Sequence, residues 1–222
     1  MQKLKHIVLL GASVGKAWNI ESLPNRIRQS NTNNSSNPIN PKNLINYRFE
    51  YVGEYQFDKS KALQQILQRK ENRPDAVLLK ECAVYFPGDN AEYRNLIKSW
   101  VAECQKKGVT PVLVTVAPVR EPTIWKLQYW KNIVKKVVYP NKPTVEARLR
   151  DLTAFNDWIR NYALEQNLQV LDLEKALRVS ESDRHLRVDL DGGDGLHLNQ
   201  EAYALLDQIV LPTLDQAFKK NI

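Results

Sequence analysis

The stretch His6-Ile7-Val8-Leu9-Leu10-Gly11-Ala12-Ser13-Val14-Gly15 is a short apolar run that ends in a glycine-containing turn. Its β-branched and leucine side chains favour a buried strand. Beyond the turn, apolar residues recur at the spacing of a helix, at Trp18, Ile20, Leu23 and Ile27. The sequence therefore predicts a strand, a tight turn and a helix at the start of the chain, with Ser13 inside the turn.

The same alternation of apolar strands and amphipathic helices continues along the chain. Further strands are predicted over 47–52, 76–79, 110–116 and 170–173, and helices over 59–70, 91–107, 151–166 and 200–218. Crossovers between parallel strands place helices on both faces of a sheet. We therefore expect an α/β fold of three layers, α/β/α, with a parallel sheet of about five strands in one domain spanning residues 1–222. Reactive groups in this architecture gather at the carboxyl ends of the strands.

Two segments depart from this alternation. Residues 29–43 are mostly Ser, Asn and Pro, which predicts a mobile surface loop. Residues 119–150 carry eight basic and two acidic side chains, and so hold six of the seven net positive charges of the chain. Trp125, Tyr129 and Trp130 lie among those cations. This insertion is either a wall of the site, with rings for sugars or acyl chains and cations for an anionic group, or a packed helix with a solvated basic face.

The composition is that of an ordered globular protein, with 43% hydrophobic and 26% charged residues among 222. No apolar run approaches the ~20 residues that a membrane-spanning helix needs. The start of the chain resembles a signal peptide, but its apolar run is shorter than the ~7 to 15 residues of such a peptide, so we interpret it as a strand. The compartment stays open, because a secreted or periplasmic protein would have lost its leader. Basic residues with interleaved aromatics also suit single-stranded nucleic acid, but no binding motif accompanies them, which disfavours that partner.

A second glycine-rich stretch, Asp191-Gly192-Gly193-Asp194-Gly195-Leu196-His197-Leu198-Asn199, precedes the last predicted helix. The spacing of Asp194 and His197 can place the carboxylate against one imidazole nitrogen and leave the other facing outward. Such a pair orients the base that a serine nucleophile requires, and Ser13 is the candidate serine. Each motif also has a simpler interpretation, Ser13 as the cap of a helix and Asp194 as the cap of a turn.

These two blocks, at opposite ends of the predicted fold, resemble those of the SGNH or GDSL hydrolases. The resemblance implies a flavodoxin-like domain in which Ser13 is the nucleophile, His197 the general base and then acid, and Asp194 the residue that orients the imidazole. It also implies that the backbone amides of Ser13 and Gly53 bind the oxyanion. No metal and no organic cofactor are expected.

Two features depart from the family. Ala12 replaces the aspartate of Gly-Asp-Ser, and Lys80-Glu81-Cys82 stands where the family has Gly-x-Asn-Asp, so the asparagine that usually binds the oxyanion has no clear match. Lys80 and Glu81 end a predicted buried strand, where charge needs a partner, and we expect them to pair with something in or near the cleft, for example with each other or with an arginine. A purely structural ion pair is the simpler interpretation. Cys82 is interpreted as a small buried hydrophobe and not as a thiol nucleophile.

The sequence thus predicts a serine ester hydrolase acting on acylated carbohydrate, lipid or small esters through an acyl-enzyme. An O-acyltransferase on the same fold is one alternative. A non-catalytic ligand-binding domain is another, and the missing asparagine supports it.

Overall fold

The computed structural model of the protein describes residues 4–33, 47–122 and 143–219, with the backbone alone for residues 30–33. Five strands form one parallel sheet in the order β2-β1-β3-β4-β5, which confirms the predicted α/β architecture. This is the flavodoxin-like order, in which β1 lies between β2 and β3 and the strand order reverses at β1. The strands are β1 Lys5–Gly11, β2 Tyr47–Gly53, β3 Ala76–Lys80, β4 Thr110–Val114 and β5 Gln169–Leu171.

Helices cover both faces of the sheet. They are α1 Ser13–Trp18, α2 Leu23–Asn33, α3 Ser60–Leu67, α4 Asn90–Lys106, α5 Val145–Glu165, α6 Leu173–Leu177 and α7 Gln200–Lys219, with short 3-10 turns at Ile20–Ser22, Ala83–Tyr85 and Val188–Leu190. In β1, Ile7 and Leu9 point to the core beneath α1, α2, α6 and α7. Val8 and Leu10 point to the core beneath α3, α4 and α5. The described helices include none that is both long and apolar enough to cross a membrane.

Several element boundaries differ from the predicted ones for local reasons. The first predicted helix is divided into α1 and α2 because Asn19 adopts a left-handed conformation, with φ of 47°. α5 begins before residue 151 because Thr144 caps it, its hydroxyl accepting a hydrogen bond of 3.1 Å from the Ala147 amide. β4 ends before residue 116 because the Asn156 side chain, and not a neighbouring strand, binds the Val116 amide.

Two predicted segments are only partly described. The polar loop predicted over 29–43 is helical as far as Asn33, and the rest of it lies outside the described residues. Trp125, Tyr129 and Trp130 of the basic insertion also lie outside them. The wall formed by that insertion and the single domain over 1–222 therefore stay predictions.

A buried hydrogen-bonded cluster joins the first helix of the fold to the last. Trp18, which is 1% exposed, donates its indole N–H to Asp207 Oδ1 at 2.8 Å. Arg26 donates to both oxygens of the same carboxylate, at 2.7 and 2.9 Å. Asp207 lies in the second turn of α7 and Trp18 ends α1, so the amino ends of the two helices lie on one face of the sheet, at the carboxyl edge of its strands.

We expect Asp207→Ala to lower the free energy of unfolding by about 2 to 4 kcal/mol, because it leaves a buried indole N–H and a guanidinium without their acceptor. Urea denaturation measures the change. The matched control is Asp151→Ala, which removes an ion pair to Arg150, a side chain that is 77% exposed, and should cost less than about 1 kcal/mol. Equal costs in the two variants would contradict the role of Asp207.

Candidate active site

Ser13 is the first residue of α1, directly after the turn that closes β1. The cap position belongs to Ala12, whose side chain forms no capping bond, so the interpretation of Ser13 as a helix cap is wrong. The Ser13 side chain is partly exposed. Within the part of the chain that the structure describes, its hydroxyl forms no hydrogen bond, which leaves the oxygen available to a ligand.

Tyr51 holds the turn that carries Ser13. Its hydroxyl lies 3.1 Å from the carbonyl oxygens of both Gly11 and Ala12 and donates to them. A Cβ on Gly15 would lie 3.1 Å from the ring, so α1 packs closely on it. Sequence reasoning missed this residue: the alternation along β2 indicates that Tyr51 faces a core, but not which carbonyl groups its hydroxyl reaches.

Asp194 and His197 form a hydrogen-bonded pair just before α7. Asp194 Oδ2 lies 2.7 Å from His197 Nδ1, and Asp194 Oδ1 accepts the Leu196 and His197 amides at 3.0 and 2.8 Å. Burial alone would raise the pKa of Asp194, but these hydrogen bonds from His197 and Leu196 hold it below its usual value. The imidazole is 51% exposed. The carboxylate therefore stays ionised and fixes Nδ1, which leaves Nε2 free to take a proton.

The loop around this pair is shaped by Asp191, another residue that sequence reasoning did not single out. Asp191 is buried, and its Oδ1 accepts the amides of Gly193 and Gly195 at 2.7 and 3.0 Å. Gly195 has a φ of 76°, and its carbonyl accepts the Arg120 amide at 3.0 Å. The contact to Arg120, which follows β4, holds the loop at the carboxyl edge of the sheet.

No hydrogen bond joins Ser13 to His197 in the described structure. Their elements converge, because α1 and α7 are tied together through Trp18 and Asp207. Catalytic hydrogen bonds are often long before substrate binds. The contact of Ser13 with His197 stays a prediction.

Gly53 lies opposite Gly11 at the end of the β1–β2 ladder. The Glu54 amide donates to the Gly11 carbonyl at 2.9 Å, which is the last bond of that ladder. Successive N–H groups of a strand point to opposite sides, so the Gly53 N–H points to the open side of β2. The role of Gly53 in binding an oxyanion stays a prediction. The hydrogen bonding between β1 and β2 does not support it, because the Gly53 N–H points away from β1.

Glu81 forms a buried ion pair, but with Lys59 and not with Lys80 or an arginine. Lys59 Nζ donates to Glu81 Oε2 at 2.7 Å, and both side chains are at most 1% exposed. Glu81 therefore has an ion-pair partner, as expected, but the partners named as examples were wrong, because Lys59 comes from the segment before α3, which the sequence does not place beside β3. Burial outweighs Lys59 and raises the pKa of Glu81 to about 7.

Lys80 and Cys82 lie beside the turn that carries Ser13. A Cβ on Gly11 would meet the Lys80 stem at 3.3 Å. This stem therefore packs against the end of β1, the strand next to β3 in the sheet. Lys80 is 1% exposed, and Nζ donates to the Glu81 carbonyl at 3.0 Å. Cys82 is a buried free thiol.

Potential metal ligands are not clustered in the described ranges. There, His, Cys, Asp and Glu form no group of three or more that could hold a metal ion. A cavity of about 1400 Å³ opens at the opposite, amino edge of the sheet, where His6 and Asp75 are among its lining residues. That cavity is separate from Ser13 and His197.

Comparison with solved structures identifies the fold. A GDSL-like lipase from Bacteroides thetaiotaomicron is 15% identical with a TM-score of 0.62, covering 98% of this chain and 89% of that chain. A protein assigned as an SGNH hydrolase from Slackia heliotrinireducens is 15% identical with a TM-score of 0.61, covering 96% of this chain and 100% of that chain. A catalytic mutant of an acetylxylan esterase from Geobacillus stearothermophilus is 13% identical with a TM-score of 0.60, covering 96% and 95%.

The protein has the SGNH hydrolase fold. No protein-family model matches the sequence, and no curated protein is detectably similar to it. Within this SGNH fold, Ser13 follows the first strand and the Asp194–His197 pair precedes the last helix, in the order that the resemblance implies.

Gly195→Ala should destabilise the loop that carries His197, because a Cβ there would collide with the Arg120 carbonyl. Gly108→Ala is the matched control, since Gly108 also has a positive φ, of 66°, but a Cβ there meets nothing within 4 Å. We expect Gly195→Ala to cost at least about 2 kcal/mol more in urea denaturation than the control. Similar costs would show that the backbone conformation alone decides the effect.

Glu81 should make the protein less stable as pH rises. Its pKa is about 7 in the folded chain and 4.5 ordinarily, so the stability it contributes is present below about 4.5 and lost as pH rises through about 7. In Glu81→Gln, the fall in the free energy of unfolding between pH 5 and 8 should shrink by a few kcal/mol. The exposed Glu165, changed to Gln, is the control, and an unchanged slope in Glu81→Gln would contradict the assignment.

Proposed function

We propose that the protein is a serine ester hydrolase that works through an acyl-enzyme on Ser13. The observation that carries this proposal is the Asp194–His197 pair, with 2.7 Å between Oδ2 and Nδ1, at the amino end of α7. It lies on the same face and edge of the sheet as Ser13, whose hydroxyl makes no other hydrogen bond among the described residues. The SGNH fold, shared with lipases and esterases, supports the same reaction.

In the proposed reaction, His197 Nε2 takes the Ser13 proton as the Ser13 oxygen attacks the ester carbonyl. Asp194 holds the imidazole at Nδ1 and stabilises the imidazolium that forms. His197 then protonates the leaving alcohol, and the acyl group stays on Ser13. Water, deprotonated by the same imidazole, attacks the acyl-enzyme and releases the acid.

The Ser13 amide is the proposed oxyanion donor with the clearest support, because the first N–H groups of a helix have no partner within it. Gly53 is the second candidate. The family asparagine has no counterpart in Lys80-Glu81-Cys82, and the loss of one such donor typically costs ~2.7 to 4 kcal/mol in the transition state. We therefore propose slow turnover unless another group takes over that role.

The proposed substrates are small esters, including acylated carbohydrates and lipids. Two of the structural neighbours are acetylxylan esterases, which supports an acylated glycan. The predicted wall of Trp125, Tyr129 and Trp130 would contact the sugar or acyl part.

A fluorophosphonate probe and 4-nitrophenyl acetate test the proposal. Wild type should be labelled and should hydrolyse the ester, whereas Ser13→Ala should escape labelling and lose about 10³-fold or more in kcat. The matched control is Ser22→Ala, a serine without a role in the proposed site, which should behave as wild type. Equal labelling of wild type and Ser13→Ala would contradict the assigned nucleophile.

Two further outcomes would favour the alternatives. An inert wild type that nevertheless binds esters would favour a non-catalytic binding domain. Faster consumption of the ester on addition of an acceptor alcohol, with a new ester as the product, would favour an O-acyltransferase.

A further inference from the structure

Arg148 is a buried cation without a counter-charge. It lies in the first turn of α5 and is 7% exposed. Among the described residues it forms no ion pair and no hydrogen bond through its side chain. None of its nitrogens is completely enclosed, so part of the remaining exposure lies at the guanidinium. The stem is therefore buried while the charged end still reaches solvent.

Arg148 forms no ion pair with any Asp or Glu side chain of the chain. All 25 Asp and Glu residues lie in the described ranges, and the residues outside those ranges include none. Glu81 binds Lys59, and Asp151 binds Arg150. Because a buried charge without a partner is unfavourable, an anion supplied by another molecule would be stabilised at Arg148.

A second buried basic side chain connects Arg148 to the candidate site. Lys80, whose stem lies over Gly11 at 3.3 Å, donates to a carbonyl and not to a carboxylate. Both Lys80 and Arg148 interact electrostatically with Cys82, which follows β3. Burial lowers the pKa of both cations, and Cys82 opposes the change. The two cations therefore lie around the end of β3, between α5 and the turn that carries Ser13.

We propose that Arg148, with Lys80 beside it, forms a subsite that binds an anionic group of the ester substrate. The guanidinium makes the direct contact, because its nitrogens reach solvent and its planar fork suits a carboxylate. Lys80 is the second basic side chain at this strand end, and its Nζ donates to the Glu81 carbonyl. The assignment of the bound anion to a substrate rests on the proposed function, whereas the anion site itself does not.

Binding of inorganic phosphate and of succinate tests the subsite without reference to activity. Isothermal titration compares wild type, Arg148→Met and the matched control Arg150→Met, which removes an arginine two residues away that is 77% exposed. Wild type and Arg150→Met should bind at least one of the two anions, and Arg148→Met should bind it about tenfold or more weakly. Equal binding by all three proteins, or no binding by wild type, would overturn the subsite.

Arg148→Met should fold, since it removes an unpaired buried charge and keeps an apolar stem. Its melting temperature should equal or exceed that of wild type. Arg148→Lys is the second variant, which retains the charge and should retain part of the anion binding. A Lys variant no better than Met would contradict recognition by charge.

Two pairs of esters connect the subsite to catalysis. One pair tests the acyl side: 4-nitrophenyl butyrate is neutral, and mono-4-nitrophenyl succinate carries a carboxylate on its acyl group. The other is phenyl acetate and 3-carboxyphenyl acetate, which test the alcohol side. Arg148→Met should lower kcat/KM by about tenfold or more for one of the anionic esters and by less than about threefold for its neutral partner.

The outcomes separate the subsite from the proposed function. Equal loss on neutral and anionic esters would overturn the subsite, assign Arg148 to the reacting carbonyl and leave the hydrolase standing. If wild type binds the anion but hydrolyses no ester, and Arg148→Met abolishes the binding, the subsite is supported and the hydrolase is refuted.

Discussion

The hydrogen bond between Trp18 and Asp207 joins residues 189 positions apart, and the arrangement of the candidate site depends on it. It ties the helix that begins at Ser13 to the helix that follows His197. It adds a buried, directional bond between these two helices to the apolar contacts through which both pack on the same face. Arg26 satisfies the remaining oxygen of Asp207, so the carboxylate is buried without an unpaired charge.

Charge is distributed unevenly around the end of β3. Lys59 and Glu81 form a buried ion pair, whereas Lys80 donates to a carbonyl and Arg148 forms no ion pair among the described residues. This edge of the sheet therefore carries two basic side chains where the SGNH resemblance implies a neutral asparagine. Such a site favours ligands with negative charge, either one that develops during reaction or one that a substrate carries permanently.

The fold was largely predictable because its signals are local. Apolar runs such as His6–Leu10 become strands, and helical spacing such as that before Gly108 becomes α4. The boundaries that failed depend on single side chains that bind backbone groups, as Thr144 does at α5 and Asn156 does after β4. The ends of helices and strands depend on whether a backbone group bonds to a side chain or to the next backbone group. The spacing of apolar residues carries little information about that choice.

Within the site, the sequence by itself determined the Asp194–His197 pair, because a turn of four residues brings the two side chains together wherever the loop lies. It also determined that Ser13 follows a strand. Only the tertiary structure decided that Tyr51 holds the turn, that Asp191 shapes the histidine loop and that Lys59, not Lys80, neutralises Glu81. These contacts join segments that are distant in the chain, and their partners are selected by packing of the sheet and helices, which no local pattern of residues records.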